Sequence, residues 1–249
     1  MSDVYRVAIF SAPANFHAVR DVLVASLGLT TIDAMIDARL APGVLRDRLP
    51  RDRAERLVEA LAAIGLTAEA LPSDQLPEMT RFEAVHHARR SDEGIAIIEY
   101  HGAQERVVPW GAVRLFSVGG IPNGNATRYV GEPSTFSGPH HTAASVSVHA
   151  PNGPVAWIVC EPVTASFSID HAKMNYEDLG TRMCDSATSN FRVLLSDLIE
   201  RAPAARCTPA TLAFVNHQPS SLWTFDSAEA LWRYTVLEEL IRRREARSA

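Results

Sequence analysis

The side chains of this sequence that could do chemistry lie mostly in the second half of the chain. His140 and His141 are adjacent, and His149 follows in the next predicted strand. Three imidazoles are a donor set that zinc accepts in proteins. Adjacent residues of a strand point to opposite faces, which works against both histidines binding one ion. We therefore expect no metal, and a metal-dependent hydrolase that uses these loop histidines is the alternative.

A second candidate set has the residue types of a nucleophile, a base and an orienting acid. Asp170 and His171 are adjacent, and Cys184 and Ser186 follow them along the chain. Nucleophilic catalysis requires such a set to converge, with the base held by a third group. None of these residues lies in a nucleophile elbow or follows a glycine-rich turn. We therefore predict no catalytic residue.

Other motifs with a chemical role are missing from the sequence. There is no phosphate-binding GxxxxGK and no dinucleotide-binding GxGxxG. The carboxylates of Glu177 and Asp178 open a predicted helical region, where negative charge is favourable in any case. The expectation is a protein without a cofactor, which is not an enzyme.

The first part of the chain has the pattern of a small α/β domain. Residues 4–10 have the character of a strand, and Asn15 is a suitable N-cap for a helix over residues 15–26. Thr30 or Thr31 can cap the next helix. We place this domain at residues 1–72, with a proline-rich linker after it.

The second helix has apolar residues at helical spacing. Ile32, Met35 and Ile36 fall on one side, so that Asp33 and Asp37 are expected to be exposed.

A third helix is predicted to begin near Pro50 or Arg51 and to end at Gly65, which favours a left-handed C-cap. A strand over residues 67–71 follows. The buried positions predicted for this helix are Leu57, Val58, Leu61 and Ile64.

Residues 27–71 resemble the C-terminal domain of the bacterial ribosomal stalk protein and, more distantly, the Clp protease adaptor of the same general fold. The resemblance implies the α/β fold and a helix face that binds a protein partner. The stalk family recruits translation factors through basic side chains around this turn, where this chain has Thr30, Thr31 and Asp33, so the partner is not carried over. The residues that carry the resemblance are Leu27, Gly28, Leu29, Ile32, Met35, Ile36, Pro42 and the run Ala62-Ala63-Ile64-Gly65-Leu66.

Composition narrows the classes of partner. The chain has 249 residues and a net charge of -5, which argues against nucleic acid because no basic stripe is present. No apolar run approaches the length of a membrane span, and no leader pattern precedes the first strand. Cys160, Cys184 and Cys207 form no CxxC motif and are expected to be reduced. We predict a cytoplasmic protein with no membrane association.

The second part, residues 80–249, changes to the two-residue period of strands. A run of strands closed by an amphipathic helix resembles the outline of a pleckstrin-homology-like barrel, so the predicted fold class is α+β. Residues 119–139 are predicted to be a loop, and residues 211–216 a strand or an extended connector. The predicted strands are 82–89, 94–100, 105–110, 112–118, 144–149, 155–163 and 167–170, and the predicted helices are 186–201 and a C-terminal helix that Asp226 caps.

Two surfaces are candidates for partner binding. One is the turn and helix with Leu27, Gly28, Leu29, Ile32 and Met35. The other is formed by the aromatic residues of the tail, because exposed apolar clusters mark contact surfaces. These aromatic residues are Trp223, Phe225 and Trp232.

The predicted function is a non-enzymatic adaptor or scaffold for protein–protein interaction, with a partner of unknown identity. A self-assembling structural subunit, and hence a homo-oligomer, is a further alternative.

Overall fold

The computed structural model describes residues 4–45, 48–76, 82–98, 105–121, 125–129, 145–149 and 153–248. The chain forms two compact units. Unit 1 comprises Met1–Phe82 and Glu229–Ala249, and unit 2 comprises Glu83–Ala228. The sequence placed the first domain at residues 1–72 and the second at 80–249, so the last helix lies in the other unit from the one predicted. The fold class is α+β, as predicted.

Unit 1 has a small antiparallel sheet in the order β2-β1-β3. Local signals set the helix ends, as predicted: the side chain of Asn15 accepts a hydrogen bond from the His17 amide, and that of Thr30 accepts one from the Asp33 amide. Gly65 adopts a positive φ of 84° after the third helix. The elements are β1 (Tyr5–Ile9), α1 (Phe16–Leu27), α2 (Thr31–Arg39), β2 (Gly43–Val44), α3 (Arg51–Ala63), β3 (Ala68–Pro72) and the C-terminal α6 (Ala228–Ser248).

One face of this sheet packs against α1, α2 and α3. Val7 and Ile9 of β1 are fully buried in a cluster with Leu23 of α1 and Leu57 of α3. Alternate residues of a strand point to opposite faces, so Arg6 and Phe10 lie on the other side of the sheet. Ile64, predicted to be buried, is 38% exposed because α3 ends at Ala63.

The C-terminal helix α6 contacts the second face of the sheet. The guanidinium of Arg6 lies 5.1 Å from the ring centre of Trp232. The Arg244 guanidinium lies 4.4 Å from the centre of the Phe10 ring. The sheet of unit 1 therefore has helices on both of its faces.

A buried ion pair joins α6 to α2. An amino group (Nη1) of Arg233 donates to Oδ1 of Asp37 at 3.2 Å, and Nη2 donates to Glu229 at 2.9 Å. The side chains of Arg233 and Asp37 are only 3% and 2% exposed. The prediction that Asp37 is exposed is therefore wrong. The burial of Asp37 could not be predicted from its neighbours in sequence, since the arginine that pairs with it lies 196 residues further along the chain.

Unit 2 contains a mixed five-stranded sheet in the order β13-β8-β11-β12-β4, together with a three-stranded sheet β5-β6-β7 and a pair β9-β10. The predicted hairpin between 94–100 and 105–110 is present as β6 and β7, but β8 leaves that sheet and pairs with β11 and β13. The strands are β4 (Glu83–Val85), β5 (Ala88–Arg90), β6 (Gly94–Ile98), β7 (Glu105–Pro109), β8 (Val113–Ile121), β9 (Asn125–Tyr129), β10 (Ser145–His149), β11 (Gly153–Cys160), β12 (Phe167–Asp170) and β13 (Arg206–Cys207).

The sheets of unit 2 form no closed barrel within the described residues. Two of its strand pairs, β12 with β4 and β13 with β8, are parallel rather than antiparallel. Parallel neighbours require long connections, which a series of consecutive hairpins does not provide. The pleckstrin-homology-like outline of this unit therefore stays a prediction. Of the predicted loop 119–139, the first residues extend β8 and 125–129 form β9; the others lie outside the described residues.

Two helices complete unit 2: α4 (Ala187–Arg201), which Ser186 caps as predicted, and α5 (Pro209–Val215). The predicted strand over residues 211–216 is thus part of a helix. Thr208 caps α5, and the buried hydroxyl of Thr211 donates to the carbonyl of Phe116 at 2.9 Å. The hydroxyl of Thr211 therefore ties the first turn of α5 to β8.

Replacing one partner of the buried pair should destabilise unit 1 strongly. Asp37→Ala removes the buried carboxylate that pairs with Arg233 and leaves it the half-exposed Glu229, and we expect a loss of about 3 kcal/mol in the free energy of unfolding of unit 1. Asp33→Ala on the same helix is the matched control, with an expected loss of about 0.5–1 kcal/mol because Asp33 is exposed in the first turn. Urea unfolding followed by circular dichroism measures both. Equal losses would contradict the buried pair.

Candidate interaction surfaces

The turn between α1 and α2 is fixed by the backbone of one glycine. Gly28 has a positive φ of 67° and its amide donates to the carbonyl of Val24 at 2.9 Å. A left-handed residue after a helix is the usual C-cap arrangement. Leu27 and Leu29 on either side are partly buried and pack against the core of unit 1. These two leucines therefore mainly hold the turn in place.

Helix α2 turns its small residues inward and its large aliphatic residues outward. Ala34 and Ala38, four residues apart, are fully buried. Ile32 is 74% exposed and Ile36, also four residues further on, is 47% exposed. Met35 between them is half-buried. We call Ile32, Met35 and Ile36 the α2 face, an apolar surface at the site where the sequence predicted one.

Trp223, predicted as part of a contact surface, is integrated into unit 2. Its ring lies edge-on to Phe214 with 5.0 Å between the ring centres. Its carbonyl accepts a hydrogen bond from the amide of Gly120 at 2.7 Å, and the Phe225 amide donates to the Gly120 carbonyl at 2.8 Å. A Cβ atom at position 120 would lie 2.6 Å from the Trp223 ring, so glycine is needed there. Trp223 and Phe225 thus extend the packing of β8.

Trp232 belongs to unit 1 and is only 8% exposed. Trp232 was predicted to form one contact surface with Trp223 and Phe225, but the three residues lie in two different units. Helix α6 follows Trp223 and Phe225 in the chain, and it places Trp232 against the sheet of unit 1. A buried ring offers little surface for docking, so this predicted surface is not supported at Trp232.

Two of the three histidines considered for a metal site lie outside the residues that the structure describes. His140 and His141 are outside the described residues, and His149 ends strand β10. In the part of the chain that the structure describes, no group of three or more His, Cys, Asp or Glu side chains has the arrangement of a metal site.

His171 has a packing role. Its imidazole lies 6.3 Å from the ring of Phe191, and a Cβ atom on Gly153 would lie 2.3 Å from it. The phenol of Tyr176 donates to the His171 carbonyl at 2.6 Å, and burial, with a contribution from the Asp170 charge, raises the pKa of this phenol. Nδ1 of His171 lies 3.6 Å from Asp170, which is too long for a hydrogen bond.

Cys184 and Ser186 organise the start of α4. The side chain of Asn190 accepts from the Cys184 amide and donates to its carbonyl, both at 2.8 Å. Ser186 accepts from the Ser189 amide as N-cap. Among the described residues no hydrogen bond joins either side chain to His171. The catalytic set considered from the sequence is therefore not assembled through direct contacts.

A polar pair in unit 2 was also not predicted from the sequence. Nε2 of His87 lies 3.0 Å from Oδ2 of Asp178. The backbone supports this pair, because the amide of Asn175 donates to the carbonyl of His86 at 2.7 Å. The two residues are 91 positions apart, so no local spacing could have indicated the contact.

No family model, curated protein or solved structure matches the chain. The resemblance to the ribosomal stalk domain stays a prediction. In the described residues, no helix has both the length and the apolarity required to cross a bilayer.

The three cysteines should differ sharply in reactivity. Burial raises the pKa of the Cys160 thiol to about 12, and burial also raises that of Cys207, whereas Cys184 is exposed. Because the thiolate is the reactive form, we expect a disulfide reagent at mildly alkaline pH to modify Cys184 first in the native protein. Mass spectrometry of the labelled peptides identifies the site. Cys184→Ser should remove the rapid phase, and rapid labelling of Cys160 would contradict its burial.

Proposed function

We propose that the protein is a non-enzymatic adaptor that binds a protein partner through the α2 face. The observation that carries the proposal is the exposure of Ile32, at 74%, on the same side of the helix as Ile36. Scattered exposed hydrophobic residues are ordinary, but neighbouring ones on a single helix face are typical of contact surfaces. The face lies on a helix secured within unit 1 by the Asp37–Arg233 pair.

The exposed isoleucines supply part of the binding energy of such a contact. Burying a large aliphatic side chain contributes about 1.5–3 kcal/mol, so two partly exposed isoleucines together would provide roughly 2–4 kcal/mol. Helix faces that bind partners use such residues at positions i and i+4. Such a contact suits an adaptor that binds and releases its partner.

Polar groups surround the apolar centre. The hydroxyl of Thr30 donates to a carboxylate oxygen of Asp33 at 2.7 Å, and the amide of Asp33 donates back to the Thr30 hydroxyl at 3.1 Å. These groups satisfy one another and do not need the partner. An apolar centre within a polar rim is the usual arrangement of a protein interface. We expect the partner to present apolar side chains.

The side chains suited to catalysis have structural partners instead. His171 packs under Gly153, and Asn190 holds Cys184 at the start of α4. This supports a binding protein over an enzyme that would use the Asp170–His171 set with Cys184 or Ser186. The three free cysteines fit a reducing compartment, so we place the adaptor in the cytoplasm.

A photo-crosslinking amino acid at position 32 tests the proposal. Met183 of unit 2, which is 53% exposed, is the control position. In cells that produce the protein, position 32 should yield a discrete crosslink to a different polypeptide, and position 183 should not. With that polypeptide purified, Ile32→Asp should weaken binding by roughly tenfold or more, because a charge would enter an apolar contact. Met183→Asp should have no effect.

Two results would count against the adaptor. The same products from both positions would show that exposure alone, not the α2 face, determines crosslinking. A product that contains only two copies of this chain would support the self-assembling alternative.

A further inference from the structure

Unit 1 has an open cleft at the C-terminal end of α6. It is open to solvent and lies between that helix, β3 and the residues that follow β3. Leu71, Leu76 and Leu240 give it an apolar wall, and Arg243 and Arg244 are among the residues that line the rest. We call this site the arginine cleft. Every residue that lines it belongs to unit 1.

Arg243 is held in place before any ligand arrives. Its Nε donates to Oε1 of Glu239 at 2.8 Å, and its Nη1 donates to the carbonyl of Gln75 at 3.0 Å. The side chain of Glu239 is only 2% exposed, so the carboxylate is a firm anchor. A fixed guanidinium loses little conformational entropy when it binds an anion.

Arg244 and Arg247 add positive charge. The Arg244 guanidinium lies over the ring of Phe10, at 4.4 Å from its centre, and this contact orients it. Arg247 lies one turn beyond Arg243 on the exposed end of α6 and lines the same cleft. The lining contains three arginines and the carboxylate of Glu69, and the buried carboxylate of Glu239 pairs with Arg243. This is a local excess of positive charge in a chain of net charge -5.

We propose that the arginine cleft binds an acidic peptide segment of a partner protein. Glutamate or aspartate side chains of the segment would pair with Arg244 and Arg247, since guanidinium groups bind carboxylates in a two-pronged geometry. An aliphatic side chain of the same segment would pack on Leu71, the partly exposed leucine of the wall. This site is separate from the α2 face, and the proposal does not require that face to bind anything.

The lining favours a peptide over a nucleic acid. Binding a phosphate backbone calls for a row of cations that neutralise successive phosphates. The cleft has three arginines, a carboxylate and an apolar wall. Glu69 would repel an adjacent phosphate, whereas a peptide can place a neutral residue there. Leu71 matches an aliphatic side chain, which a sugar–phosphate chain does not possess.

Fluorescence anisotropy with a labelled peptide tests the site in the full-length chain. The probe is a repeat of two glutamates and one leucine, and its control has glutamine in place of glutamate. We expect binding of the acidic peptide that weakens with added salt, and at least roughly tenfold weaker binding of the glutamine peptide. Arg247→Glu should weaken binding of the acidic peptide to a similar extent.

Arg56→Glu is the matched control variant. Arg56 is an exposed arginine on α3 of the same unit, with a side chain 71% exposed, and it does not line the cleft. Its replacement should leave the affinity within about twofold, because a distant surface charge is screened. Circular dichroism verifies that both variants are folded. Crosslinking through position 32 should be unaffected by Arg247→Glu, so the two proposals can fail separately.

Four outcomes would overturn the proposal. These are the absence of binding to the acidic peptide, equal binding of the glutamine peptide, and equal weakening by Arg56→Glu and Arg247→Glu. The fourth is displacement of the labelled peptide by inorganic phosphate or a single-stranded oligonucleotide as effectively as by unlabelled peptide, which would indicate a general anion site.

Discussion

The pair between Asp37 and Arg233 is the constraint on which the architecture of unit 1 depends. Both side chains are almost completely buried, so each charge has given up water for the other. Removing one partner from such a pair is costly, although the intact pair contributes little net stability. Its main consequence is geometric: helix α6, from the end of the chain, is fixed to α2 near the beginning. Unit 1 is therefore built from two segments, and unit 2 lies between them in sequence.

This arrangement determines what unit 1 presents to solvent. With α6 on the second face of the sheet, Trp232 is buried and the arginines of the last turns line a cleft. The alanines of α2 allow that helix to lie close to its neighbours, and its isoleucines remain outside. The two surfaces differ in chemistry, one aliphatic and one cationic. A protein with two such surfaces in one unit can contact dissimilar partners.

Sequence reasoning succeeded where the determinants are local. Asn15, Thr30 and Gly65 mark helix ends because capping depends on adjacent backbone groups. Helical spacing also places Ile32, Met35 and Ile36 on one side of α2, but it does not determine whether that side is exposed. Sequence reasoning failed where a segment far away in the sequence determines the environment of a residue. Asp37 is buried by an arginine at the other end of the chain. The helix that contains Thr211 was missed although its local signals, Thr208 as N-cap and Pro209 in the first turn, are present in the sequence. The arginine cleft was missed since only the fold brings Phe10 to Arg244.

Hydrogen exchange of the strand β1 tests the central claim most directly, namely that α6 is part of unit 1. The full chain is compared with one that ends after Ser227, and the amides of Val7 and Ile9 are followed together with those of β8 and β11. The account predicts that removing α6 abolishes protection in β1 and leaves unit 2 protected, since exchange reports the stability of each cooperative region. Unchanged protection of Val7 and Ile9 in the shortened chain would contradict it.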